Sequence, residues 1–208
     1  MSSASSDSAA STCRWNTRPK FAATLSAACA SVGGTSSGDS SSSDVTYHGP
    51  GQLVGYPIFD LRGDLPGKRG PHLGPVDFVR MMEEALILTC KDFGVPAQRI
   101  CKLTGVWTLP GGSIAEKKLA AIGIHVSQAV TSHGFALNVT TDLRDFQWIV
   151  PCGITDRGVT SLEVESPQSP APTLAQAANS IAANFGRVFQ RQMLAAESLN
   201  DLLGAPAI

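Results

Sequence analysis

The chain has 208 residues, of which 43% are hydrophobic and 16% are charged, as in ordinary soluble globular proteins. That length suffices for one domain with a hydrophobic core. The net charge is −1, and the basic residues are scattered, which excludes the basic surface of a nucleic-acid-binding protein. No apolar run approaches the roughly 20 residues of a membrane-spanning helix, so no membrane association is expected.

Five cysteines are present, at positions 13, 29, 90, 101 and 152. Their number is odd, and none forms a CxxC or Cys/His spacing. This pattern argues against a disulfide framework and against a zinc site. The sequence therefore predicts a reducing compartment and no bound metal.

Residues 1–43 differ from the rest of the chain because they are rich in serine and lack hydrophobic periodicity. We expect this segment to be disordered. Basic residues outnumber acidic ones near positions 14–20, and the Ala-rich residues 21–30 suit a short amphipathic turn, a composition typical of an organellar transit peptide. An untargeted disordered tail or a mistaken gene start is the alternative.

Short β-branched and aromatic runs at residues 44–48 and 52–61 predict two strands joined by a tight turn at residues 49–51. Residues 62–74 read as an exposed loop. A helix follows from Pro75, with an apolar stripe that ends at Gly94. The stripe consists of Val79, Met82, Leu86, Cys90 and Phe93. Cys90 is thus expected to be a buried structural thiol, and Glu83 and Glu84 to lie in solvent.

Further strands are predicted at residues 104–109, 118–126 and 129–139, the last two as a hairpin. A final amphipathic helix is predicted, with one face lined by Leu174, Ala177, Ala178, Ile181, Phe185 and Phe189. These elements predict an α/β (α+β) fold with a mixed, largely antiparallel sheet and helices. The domain organisation expected is a disordered segment 1–43 and one catalytic domain, 44–203.

Cys152 is the candidate nucleophile. It lies in Ile-Val-Pro-Cys-Gly-Ile, where Pro151 stiffens the chain and Gly153 leaves space beside the sulfur. Considered alone, such a cysteine is more often buried and inert. In the same way, Lys118 alone would be a solvated lysine at a strand end, and His48 and His133 would be structural histidines.

Four motifs occur in a fixed order along the chain: Asp-Val-Thr-Tyr-His-Gly-Pro-Gly-Gln-Leu at 44–53, Lys-Leu-Ala-Ala-Ile-Gly at 118–123, Ser-His-Gly-Phe-Ala-Leu-Asn at 132–138 and Pro-Cys-Gly at 151–153. Together they resemble the octanoyltransferases of lipoate biosynthesis, which carry TxHxxGQ-type, KxAxxG, HGxALN and PCG motifs in this order. The resemblance covers residues 44–165.

The resemblance implies a fold similar to the biotin and lipoate protein ligase catalytic domains. It also implies transfer of octanoyl from octanoyl-acyl carrier protein to a lysine of lipoyl domains, in 2-oxoacid dehydrogenase complexes and in glycine cleavage H protein. Cys152 matches the nucleophile that forms the acyl thioester, and Lys118 matches the active-site lysine. The sequence has no phosphate-cradling glycine loop, and no cofactor is expected because the acyl donor arrives activated.

The chemistry explains why a cysteine and a lysine would act together. An unperturbed thiol has a pKa of about 8.5, and a nearby ammonium favours the reactive thiolate. In the second half-reaction the attacking lysine must lose a proton, which the Lys118 amine would accept.

By the same resemblance, three stretches line the acyl pocket, where glycine permits close approach of the backbone and apolar side chains face the acyl chain. The residues expected to bind substrate are Asp44, Val45, Thr46, Tyr47, His48, Ala121, Ile122, Gly123, His133, Gly134, Phe135 and Ala136. Asn138 would either orient a carbonyl or satisfy backbone groups at the strand end.

The chain departs from the family pattern at residues 41–43, where three serines replace Arg-Gly-Gly, and the family's upstream helix and strands are expected to be missing. This departure leaves open a truncated or non-catalytic relative that binds acyl chains or acyl carrier protein. A ligase that uses an acyl adenylate is a weaker alternative because it would not need Cys152. A mitochondrial location is expected, with a plastid or a bacterial cytoplasm as alternatives.

Overall fold

The computed structural model describes residues 13–17, 21–27, 31–34, 45–63, 66, 72–111, 115–148, 157–168 and 170–196. The strands within these residues are β1 (Cys13–Thr17), β2 (Phe21–Ala27), β3 (Ser31–Gly34), β4 (Val45–His48), β5 (Gln52–Phe59), β6 (Ala97–Ile100), β7 (Leu103–Thr108), β8 (Lys118–Ser127), β9 (Val130–Asn138) and β10 (Ala195–Ala196). The helices are α1 (Pro75–Asp92), a 3-10 helix (Leu143–Trp148), α2 (Leu162–Glu165) and α3 (Leu174–Phe189).

Eight of these strands form one sheet in the order β10-β1-β2-β5-β9-β8-β7-β6, and β3 and β4 form a separate ladder. All the ladders between these strands are antiparallel. The predicted fold class is confirmed. The predicted β8–β9 hairpin is also confirmed, because Ser127 pairs with Val130 across two residues of positive φ, Gln128 and Ala129.

The core lies between one face of the sheet and the helices α1 and α3. The rings of Phe59 in β5, Phe78 in α1 and Phe189 in α3 lie 4.8–5.5 Å apart, centroid to centroid. Phe135 in β9 packs against Phe185 in α3 at 5.8 Å. The amphipathic stripes of both helices, read from sequence, are therefore buried on the same face of the sheet.

The alternation of side chains along β9 separates two faces of the sheet. Phe135, Leu137 and Val139 belong to the buried core beneath the helices. Ala136 and Asn138 therefore point to the opposite face, which we call the distal face. No helix among the described residues is long and apolar enough to cross a membrane.

A β-bulge at the start of β8 turns Lys118 towards the distal face. Val106 pairs with Ala120, but the next residue, Trp107, pairs with Lys118, so Leu119 is the extra residue. Leu119 and Ala120 are both in the core. Lys118 instead lies on the same face as Trp107. Strict alternation of side chains from Ala120 would have placed Lys118 on the core face.

Glu83 of α1 does not lie in solvent as expected: its side chain is fully buried. Its carboxylate accepts hydrogen bonds from Arg80 at 2.6 Å, from Arg99 at 3.1 Å and from the backbone N–H of Gly105 at 3.1 Å. Three donors compensate the cost of burying the charge. Glu84 is partly exposed and pairs only with Arg99 among the described residues, at 2.6 Å.

The N-terminal segment differs from the expected disorder over its described ranges. Strand β2 pairs with β5 along its whole length, from Phe21 opposite Phe59 to Ala27 opposite Leu53, where a helical turn was predicted. Backbone groups form this ladder, so a serine- and alanine-rich composition does not prevent it. Strand β4 pairs with β3, so the two strands predicted around the turn at residues 49–51 are not ladder partners.

Candidate active site

Three of the four predicted motifs have described residues at one end of the sheet, where β5 and β8 begin and β4 and β9 end. The chain at residues 158–160 runs beside the start of β8. The N–H of Lys118 donates to the carbonyl of Gly158 at 2.9 Å, and the N–H of Thr160 donates to the carbonyl of Lys118 at 3.0 Å. Cys152 and the rest of residues 149–156 lie outside the described residues, but the chain that leaves them is bonded to Lys118.

Lys118 is 6% exposed, and its Nζ lies 4.7 Å from the ring centroid of Trp107. The guanidinium of Arg157 lies 5.9 Å from the same ring. Among the described residues no carboxylate is within ion-pair distance of the Lys118 ammonium, whereas the more exposed Lys117 lies 3.9 Å from Glu165. The π face of Trp107 thus stabilises a buried ammonium that has no described acidic partner. Such a charge is suited to stabilising an anion.

A chain of hydrogen bonds joins the other motifs to the segment beside Lys118. Gln52 Oε1 lies 2.7 Å from His48 Nδ1, and Gln52 Nε2 donates to Asn138 Oδ1 at 2.9 Å. Asn138 Nδ2 donates to the carbonyl of Thr160 at 2.9 Å. Gln52 and Asn138 are buried and face each other across the β5–β9 ladder. We call this chain the amide relay.

Gln52 is a site residue that sequence reasoning missed, although it ends the TxHxxGQ-type motif. A glutamine at the start of an apolar strand run was the available signal, because a buried amide needs hydrogen-bond partners. Of the two roles left open for Asn138, the structure shows a bond to a backbone carbonyl, that of Thr160, and it adds a bond from the side chain of Gln52.

The expected acyl-binding residues of β8 and β9 divide between the two faces. Ala121 pairs with Ala136, which points to the distal face. Phe135 lies in the core under the helices, and Ile122 packs against that core. The structure therefore does not bring Ile122 and Phe135 together with the distal-face residues.

Gly123 and Gly134 pair with each other across β8 and β9, yet only one of them is demanded by the fold. A Cβ on Gly134 would stand 2.1 Å from the carbonyl oxygen of Gly55. No described atom lies within 4 Å of the position that a Cβ on Gly123 would take. The glycine at position 123 therefore leaves open space rather than relieving a clash.

His133 is exposed and has a φ of +60°, the left-handed region that non-glycine residues rarely adopt. The ring of Tyr47 meets Phe146 of the 3-10 helix edge-on at 5.0 Å. Val45 and Thr46 pair with β3, and Asp44 lies outside the described residues.

Cys90 is fully buried in the core, and burial raises the pKa of its thiol to about 12. Cys101 is exposed. Thr160 and Ser161 precede α2, and the Ser161 hydroxyl caps this helix by accepting from the N–H of Val164. Within the described part of the chain, no group of three or more His, Cys, Asp and Glu residues is placed to hold a metal ion.

A family model, the lipoyl protein ligase A/B catalytic domain, matches residues 42–186. Curated relatives include an octanoyltransferase of Acidobacterium capsulatum, 65% identical over 161 residues that cover 77% of this chain and 65% of that protein. Octanoyltransferases of Koribacter versatilis and Solibacter usitatus are 55% and 49% identical, covering 78% and 75% of this chain and 61% and 63% of those proteins. The chain spans less than two thirds of the length of these relatives.

Two solved structures show the same fold. A bipartite lipoate protein ligase from Thermoplasma acidophilum superposes with a TM-score of 0.51 at 17% identity, covering 70% of this chain and 54% of that one. A lipoate-protein ligase A crystallised with ATP gives a TM-score of 0.50 at 15% identity, covering 71% of this chain and 56% of that one. The expected likeness to ligase catalytic domains is confirmed at the level of the fold.

Proposed function

This chain belongs to the lipoyl protein ligase A/B catalytic domain family, and we propose that it is an octanoyltransferase of protein lipoylation. One observation carries the proposal: the motif lysine, Lys118, is buried against Trp107 and bonded through its backbone to the chain that follows Cys152. Relatives at 49–65% identity that are octanoyltransferases support the same activity.

In the first half-reaction the Cys152 thiolate attacks the octanoyl carbonyl of octanoyl-acyl carrier protein. The carrier leaves as a thiolate and takes a proton from the Lys118 ammonium, which gives an octanoyl thioester on Cys152. In the second, the neutral amine of an acceptor lysine attacks that thioester. The amide forms, the Cys152 thiolate leaves, and Lys118 takes the proton.

The distal face offers a surface for the acyl chain. Ala121, Ala136 and Gly123 are small, and Gly123 leaves space above the sheet. Burial of an octanoyl tail contributes about 0.8 kcal/mol per methylene, so such a surface selects for chain length. Ile122 and Phe135 would support it from the core side.

The acceptors proposed are the lipoyl domains of 2-oxoacid dehydrogenase complexes and the glycine cleavage H protein. The Thermoplasma ligase was studied together with its E2 lipoyl domain, which favours lipoyl domains as the acceptor class. The relatives named above are bacterial and support the bacterial-cytoplasm alternative. They give no support to the expected mitochondrial location.

Intact mass spectrometry after incubation with octanoyl-acyl carrier protein tests the proposal. We expect a gain of one octanoyl group that hydroxylamine removes, lost in Cys152→Ala and kept in Cys101→Ala. Cys101 is exposed, so Cys101→Ala is the matched control for labelling of an accessible thiol.

The same experiment separates the alternatives. A folded protein that gains no octanoyl group would leave the non-catalytic, acyl-binding relative as the explanation. Transfer that requires free octanoate and ATP, and that survives Cys152→Ala, would identify a ligase that uses an acyl adenylate.

A further inference from the structure

Each hydrogen bond of the amide relay has a fixed donor and a fixed acceptor, because the relay ends on a backbone carbonyl. The oxygen of Thr160 can only accept, so the group of Asn138 that faces it must be the NH₂. The reverse orientation of the Asn138 amide would set two acceptors 2.9 Å apart. The usual ambiguity between the oxygen and nitrogen of an amide is thereby resolved at this residue.

The orientation of the Asn138 amide then fixes the donor and acceptor roles of Gln52 and His48. With its nitrogen engaged, Asn138 presents Oδ1 as the acceptor, so Gln52 must donate through Nε2. Gln52 consequently presents Oε1 to His48, at 2.7 Å from Nδ1. An acceptor at that distance requires a proton on Nδ1 of the imidazole. A neutral His48 must therefore keep its lone pair on Nε2.

We propose that Gln52 and Asn138 are positioning residues that hold His48 as the Nδ1–H tautomer, so that its Nε2 accepts a hydrogen bond from the acceptor lysine. Both amides are buried, Gln52 being 3% and Asn138 4% exposed, so water does not compete for their hydrogen bonds. Among the described residues Nε2 has no hydrogen-bond partner. The tautomer follows from geometry alone, and only its use by substrate rests on the proposed octanoyl transfer.

The relay also joins His48 to Lys118. Thr160 accepts from Asn138 through its carbonyl and donates to the carbonyl of Lys118 through its N–H, at 3.0 Å. One continuous set of hydrogen bonds therefore fixes the backbone of the lysine and the tautomer of the histidine. A change at Gln52 frees the His48 ring while leaving the backbone bonds of Lys118 in place.

Nitrogen NMR of the full chain with ¹⁵N-labelled histidine tests the tautomer directly. The chain has four histidines, and His48→Gln identifies the His48 signals. We expect a protonated Nδ1 and an unprotonated Nε2 for neutral His48 in the wild type, and a mixture of tautomers in Gln52→Leu. A wild-type His48 protonated on Nε2, or an unchanged pattern in folded Gln52→Leu, would overturn the proposal.

Single-turnover kinetics test the use of Nε2. In Gln52→Leu we expect acyl transfer from the preformed octanoyl-enzyme to a lipoyl domain to slow about tenfold or more, with formation of the thioester unchanged. Asn184→Leu is the matched control, because it removes a buried amide that joins α3 to Thr89 and Asp92 of α1, away from the relay. Equal slowing of both half-reactions would show a structural effect only and overturn the proposed use. Absence of the thioester in the wild type would refute the octanoyltransferase while the NMR result stood.

Discussion

Gly123 and Gly134 show how two paired glycines can serve different purposes. Gly134 is required by the close approach of the Gly55 carbonyl, whereas Gly123 has free space where its Cβ would stand. A side chain at position 123 would therefore raise the β propensity of the strand without a clash, and it would occupy the open space above the distal face at this position. Substitution of this residue tests the proposed acyl surface independently of the proposed pair Cys152 and Lys118.

Gly123→Val is expected to leave the free energy of unfolding within about 1 kcal/mol of the wild type, or to raise it. It should lower kcat/KM for octanoyl-acyl carrier protein at least about tenfold and spare a butanoyl donor, because the shorter chain does not reach the new side chain. Urea unfolding and kinetics with both donors measure these effects. Gly134→Ala, the control, should be destabilised. Equal loss for both donors would place the acyl chain elsewhere.

Cys90 predicts a loss of stability at alkaline pH. Burial raises the pKa of its thiol from 9.0 to about 12, so between these values the folded protein keeps a proton that the unfolded chain has released. Because the unfolded state then binds fewer protons, this thiol lowers stability as pH rises above 9, by about 1.4 kcal/mol per pH unit. Below pH 9 the Cys90 thiol is protonated in both states, so it makes no pH-dependent contribution to the free energy of unfolding.

Chemical unfolding of the wild type and Cys90→Ala at several pH values from 8 to 11 measures this contribution. Cys90→Ala should be less stable at pH 8 because of the cavity it leaves. The difference in unfolding free energy between the two proteins should narrow above pH 9. If the difference in unfolding free energy stayed constant from pH 8 to 11, the conclusion that Cys90 stays un-ionised in the folded protein above pH 9 would be contradicted.

At the scale of elements, Glu83 joins α1 to the β6–β7 edge of the sheet. It is fully buried and bonded to Arg80, Arg99 and the backbone of Gly105, which itself has a φ of +123°. Removing a buried charge partner leaves the remaining groups uncompensated. Glu84, one residue further on, is partly exposed and makes only a surface pair among the described residues.

Glu83→Gln is accordingly expected to lower the free energy of unfolding by about 3 kcal/mol, the lower end for a broken buried pair, because both arginines retain some access to water. Glu84→Gln should change it by less than about 1 kcal/mol. Denaturant unfolding of both variants compares the two sites. Similar small effects for both would mean that the Glu83 network adds no net stability.

The periodic elements were predictable, and the contacts between them were not. Spacing predicted the apolar faces of α1 and α3 and the course of β8, because one buried face dictates each pattern. The side chain of Lys118 faces away from the core because of the bulge at the start of β8. Glu83 can be buried because arginines from two elements, Arg80 of α1 and Arg99 of β6, bind its carboxylate. Neither leaves a local signal in sequence. The motif resemblance predicted Lys118 as a site residue, which stays a prediction, but not Gln52, whose proposed role follows from its register opposite Asn138.

At the scale of the whole molecule, the candidate site is assembled from ends of elements far apart in sequence. His48, Gln52, Lys118, Asn138 and Thr160 meet only when β5, β9 and β8 lie side by side in register. The central strand β5 must therefore stay paired on both edges. On one edge its partner is β9, and on the other it is β2, from the segment whose composition predicted disorder.

The pairing of β2 with β5 gives the last prediction. Thr24 pairs with Tyr56 in the middle of this ladder, and a proline there cannot extend the strand normally. Thr24→Pro should lower stability and speed hydrogen exchange of β5 amides, whereas Thr24→Ala, which keeps the backbone N–H, should alter both far less. Because Gln52 begins β5, loosening this strand should also slow octanoyl transfer. If Thr24→Pro exchanged and reacted like the wild type, residues 21–27 would be dispensable for the sheet, and the site would depend on β9 alone to hold β5.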